Sequence, residues 1–125
     1  MIALLALALA SPPLKNSVMG DFDGDGRQDL ALIVRRADGS RDIIVILADG
    51  RQMPVEARVH ELTTLTKVGP KGVDAVCAPL VGIVTDACPR SASNRDGLSY
   101  RRSPQEVPSL AVWTGARFVS LMGPR

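Results

Sequence analysis

The apolar positions of this chain fall in short runs divided by turn residues, which is the punctuation of antiparallel hairpins. Leu30 to Arg36 predicts one strand and Asp42 to Ala48 a second, with Ala37-Asp38-Gly39-Ser40 turning between them and Asp49-Gly50 turning next. Neither run alternates cleanly, so both strands are expected to be buried on two faces. From Met53 to Val68 the pattern is mixed: Val55, Ala57 and Val59 alternate, and Thr63, Thr64 and Thr66 also suit a strand. Gly69-Pro70-Lys71-Gly72 then breaks it. Pro89 to Gly97 is polar and turn-rich and reads as a surface loop. Leu98-Ser99-Tyr100 and Ser109 to Trp113 read as strands on either side of the loop Arg101 to Pro108. Thr114-Gly115 turns into Arg117 to Leu121, a final hairpin, and Gly123-Pro124-Arg125 is left as a tail.

One stretch does not fit simple hairpin punctuation. In Asp21 to Val34, DFDGDGRQDLALIV, the residues Asp21, Asp23, Asp25 and Asp29 occupy positions 1, 3, 5 and 9 of a nine-residue loop, and Arg27 occupies position 7. Calcium takes oxygen ligands from alternate loop positions and a backbone carbonyl at position 7, so the candidate metal residues are Asp21, Asp23, Asp25, Arg27 through its carbonyl, and Asp29. Two carboxylates about 5 Å apart at an effective dielectric near 20 repel by roughly 3 kcal/mol, and Arg27 alone does not neutralise four of them. A solvated acidic turn is the plain alternative, since Asp and Gly are common turn residues. The helix-loop-helix calcium hand needs a bidentate Glu at position 12, where this chain has Leu32 followed by an apolar, β-branched run.

Gly20, Asp21, Phe22, Asp23, Gly24, Asp25, Gly26, Asp29 and Leu30 resemble, residue by residue, the GDFNGDGxxDL-like loop of the FG-GAP or VCBS repeat found in integrin α-chain propellers and many secreted bacterial proteins. The resemblance covers about Ser17 to Val34 and implies a calcium-holding loop between two antiparallel strands. A propeller has typically 4–8 four-stranded blades, and the motif occurs here once, so it implies a local site only.

Composition changes the picture in two places. Hydrophobic residues make up 46% of the chain, but the aromatics are limited to Phe22, Tyr100, Trp113 and Phe118, so aliphatic side chains must fill the interior; Trp113 is expected in the core, with a binding anchor as the alternative. Met1 to Ala10 is an uncharged apolar run too short to span a bilayer, which needs about 20 residues. With Ala8-Leu9-Ala10 as a small-x-small cleavage pattern it reads as a signal peptide, although no Lys or Arg precedes it. The alternative is a buried N-terminal helix. Residues 11–125 then form a single domain carrying the net charge of +2, and no membrane span is expected after cleavage. In an exported chain the only two cysteines, Cys77 and Cys88, are expected to pair.

The expected fold is therefore mainly β, a small antiparallel β-sheet domain with one calcium loop and one disulfide. Its expected localisation is periplasmic or secreted. Arg90, Arg95, Arg101 and Arg102 cluster in sequence, but nucleic-acid binding needs a dense basic face or stacking aromatics and is not expected. His60 stands alone without a nucleophile signature, and a disulfide would occupy both sulfurs, so an enzyme is not expected either. The leading function is a calcium-dependent binding or structural module with a protein or glycan partner. The second is an inhibitor of an exported enzyme such as a cell-wall hydrolase, acting through the loop Pro89 to Gly97.

Overall fold

The computed structural model describes residues 16–80, 88, 94–101 and 105–122. The expected signal peptide, Arg90, Arg102 and most of the loop Pro89 to Gly97 lie outside the described residues.

Among the described residues, eight strands form two antiparallel four-stranded meanders, each following chain order. The first sheet comprises β1 (Ser17–Gly20), β2 (Asp29–Arg35), β3 (Arg41–Ile46) and β4 (Gln52–Glu56). The second comprises β5 (Thr64–Val68), β6 (Gly97–Arg101), β7 (Ser109–Trp113) and β8 (Phe118–Met122). Strand β1 lies beside β5 and β4 beside β8, so the sheets meet along both seams. The β2–β3 hairpin falls where its turn residues place it, with Leu32 opposite Ile44 and Arg35 opposite Arg41. Strand β4 ends at Glu56 because Arg58 takes a positive φ of 55°, which breaks the alternation that Val55, Ala57 and Val59 suggest. Pro54 is tolerated because β4 is an edge strand of its sheet, and it faces Ile44 at a bulge.

The core lies between the sheets. Phe22, Ala31, Ile43, Val45 and Leu47 from one side meet Leu98, Tyr100, Ala111, Trp113 and Phe118 from the other. Trp113 is 7% exposed, and its ring centroid lies 5.0 Å from that of Phe118, so it is core as expected. Tyr100 satisfies its hydroxyl against Ser120 Oγ at 2.6 Å.

A helix that the sequence reading did not anticipate, α1 (Pro70–Cys77), covers the outer face of the second sheet. The break at Gly69 to Gly72 is its start: Gly69 caps it in extended conformation and Pro70 takes an early position where a missing N–H costs nothing. Val73 and Cys77, four residues apart on one helix face, pack with Leu110, Val112 and Leu121. Cys77 is bonded to Cys88, and both are buried. No such layer covers the first sheet among the described residues. Leu30, Leu32 and Val34 point away from the core and stay half-buried, so β2 buries Asp29 and Ala31 on its inner face and is not buried on two faces.

Candidate metal centre

The loop between β1 and β2 is hung from the core by Phe22, which is fully buried and packs so closely on Gly20 that a Cβ there would meet its ring at 2.9 Å. The loop then turns through Gly24 and Gly26, whose φ angles of 76° and 85° suit glycine alone without strain. Asp29, at the start of β2, points inward and is 1% exposed. Its Oδ2 accepts the N–H groups of Phe22 at 2.8 Å and Asp23 at 3.3 Å, while its Oδ1 accepts the Ala48 N–H at 2.8 Å. One carboxylate thus shapes the loop and links it to the turn that follows β3.

Carboxylate oxygens of Asp21, Asp23 and Asp29 come within 4.8 Å of one another. Asp21 Oδ2 accepts the Gly26 N–H at 2.9 Å, whereas Asp21 Oδ1 is buried and has no hydrogen-bond donor among the described residues. A buried carboxylate oxygen without a donor is costly unless a cation or water meets it. The Asp23 carboxyl is pushed up to about 6, chiefly because burial disfavours its charge, with repulsion from Asp29 adding to this and the Asp25 N–H opposing it. An all-oxygen donor set of this kind suits a hard cation. The acidic triad can hold a metal ion.

Asp25 touches the triad through its N–H, which donates to Asp23 Oδ1 at 3.2 Å, while its carboxylate turns to Arg27. Asp25 Oδ1 accepts the Arg27 N–H at 2.8 Å and its Oδ2 the Arg27 Nε–H at 3.0 Å, and the Arg27 side chain is 61% exposed.

The sequence reading missed the second wall of the site. Asn94 to Asp96 is not a free surface loop, because the Asp96 carboxylate accepts the Asp21 N–H at 2.8 Å and the Asp96 N–H donates to the Asp21 carbonyl, also at 2.8 Å. Gly97, assigned to the same loop by its polarity, begins β6. No local signal could have revealed this pairing, since the two residues lie 75 positions apart. His60 is exposed, and its Nδ1 accepts the Leu62 N–H at 3.0 Å, a turn contact remote from the loop in sequence.

Comparison with protein-family models, curated proteins and solved structures finds no match.

Proposed function

We propose that this chain is an exported small β domain whose loop Asp21 to Asp29 binds calcium, and that the loaded domain serves as a binding or structural module in the periplasm or outside the cell. The observation that carries the metal reading is the buried Asp21 Oδ1, left without a donor beside Asp23 and Asp29. The choice of calcium rests on its tolerance of irregular oxygen shells, whereas magnesium demands compact octahedral geometry and gives up its waters reluctantly. The resemblance of Gly20 to Leu30 to the FG-GAP or VCBS loop supports the same ion. Asp25, the Arg27 carbonyl and waters are the remaining ligand candidates. Bound calcium would take the loop from a formal −3 to −1.

Export is supported by the Cys77–Cys88 disulfide and by the Ala8-Leu9-Ala10 pattern, and no helix of the described residues is long and apolar enough to cross a membrane. The partner is of protein or glycan chemistry in this reading, which assigns the domain no catalysis. Nothing among the described residues favours the inhibitor reading, because Asn94 to Asp96, part of its candidate loop, is engaged with the acidic loop.

The test uses protein recovered from the cell envelope. Its intact mass should correspond to a start at Ser11, and calorimetric titration should find one calcium site. An ion that binds only the folded state at a hundredfold excess over Kd adds about 2.7 kcal/mol, which for a domain of this size raises Tm by roughly 10 °C over chelator. Identical melting in calcium and chelator, with no heat of binding, would reduce the loop to an acidic turn. An intact Met1 on cytosolic protein would overturn the export.

A further inference from the structure

Asp96 meets Asp21 through two hydrogen bonds of opposite sense, side chain to N–H and N–H to carbonyl, each 2.8 Å. Its neighbours close the same contact: a Cβ on Gly24 would meet Arg95 Cβ at 3.4 Å and the Asn94 carbonyl oxygen at 3.7 Å. The next residue, Gly97, is buried so tightly that a Cβ there would meet Leu110 Cδ1 at 2.7 Å and Val73 Cγ2 at 2.9 Å. The place of Asp96 is therefore set by β7 and α1, outside the acidic loop. A loop whose carboxylates repel one another spreads unless something outside it holds the backbone, and position 1 is where the second sheet takes hold.

We propose that Asp96 is a positioning residue of the metal loop, fixing the backbone of Asp21 so that its carboxylate stays within reach of those of Asp23 and Asp29. The ion's site is then shared between the two sheets, although all of its candidate ligands come from one. This inference rests on the calcium reading above. Because coupling between sites is reciprocal, calcium in the loop orders the segment Asn94 to Asp96, and loosening that segment weakens the ion.

The experiment titrates calcium by calorimetry into the full chain as wild type, Asp96→Asn and Asp96→Ala, and records Tm of each in chelator. Asp96→Asn keeps a carbonyl acceptor for the Asp21 N–H and should bind within about threefold of wild type, whereas Asp96→Ala should bind about tenfold more weakly. A purely structural role would lower Tm in chelator and leave Kd unchanged, and that result overturns the proposal. Should Asp96→Ala fail to fold, amide exchange in the wild type decides: saturating calcium should slow exchange of the Asp96 N–H at least threefold. Unchanged exchange there, with calcium bound, overturns the proposal while the calcium reading stands. Absence of any binding by wild type overturns both.

Discussion

Asp29 and Asp23 lie in one loop, and their environments separate their roles. Asp29 is locked by three N–H donors and shapes the turn. Asp23 is the residue whose charge the apo fold resists. Its carboxyl goes from the ordinary 3.8 to about 6, first because of burial and then because of the neighbouring carboxylates. The folded state therefore holds this proton more tightly than the unfolded chain, so stability is lost as pH rises between about 4 and 6. The carboxyls of Asp38, Asp42 and Asp49 lie below their usual range, mainly through hydrogen bonds to Ser40, Arg36 and Arg51, and contribute the opposite slope. Comparing wild type with Asp23→Asn in chelator removes that common background. Wild type should lose stability relative to Asp23→Asn across this window, and under the proposed calcium reading the ion should bind wild type more weakly as pH falls below about 6. A Tm difference between the two proteins that stays constant across this pH range would refute this. The existence of these acids was legible from their spacing, but their division of labour was not, because it depends on which of them the core encloses.

At the scale of the element, the β2–β3 hairpin was the most legible part of the chain, since its turn residues and two apolar runs set the pairing locally. Its far end carries a feature that only register reveals: Arg35 and Arg41 stand directly opposite each other, while Arg36 is paired with Asp42 at 2.7 Å. Like charges in opposed positions destabilise a ladder, and opposite charges contribute about 0.2–1 kcal/mol. Arg35→Glu should therefore stabilise the domain by roughly 0.5 kcal/mol in urea unfolding at low salt, and molar salt should erase most of the gain. A loss of stability at low salt would refute the pairing. Helix α1 was hidden for the converse reason. Its eight residues include Pro70 and Gly72, both poor helix formers, and Gly72 is required because a Cβ there would meet Val68 Cγ1 at 2.5 Å. Tertiary contact overrides local propensity at such a place.

Across the whole molecule, the Cys77–Cys88 bond ties the end of α1 to the segment leading toward β6, its two ends standing 11 positions apart in the chain. Closing a loop of that length restricts the unfolded chain, so the Cys77→Ser/Cys88→Ser double variant should lose about 3 kcal/mol and melt roughly 10 °C lower. Unchanged melting would mean that the packing of α1 on β7 and β8 suffices without the bond. What the sequence determined alone was short-range: the acidic loop, the hairpins, the two cysteines to be paired and the core place of Trp113. Each depends on residues close together in the chain, or on a count with one solution. Tertiary structure decided the rest. It set two meanders face to face and put α1 over only one of them, leaving Leu30, Leu32 and Val34 half-buried. It also brought Asp96 to Asp21 across 75 residues. Such choices turn on which surfaces can be buried together, and periodicity along one strand carries no record of the partner that will cover it.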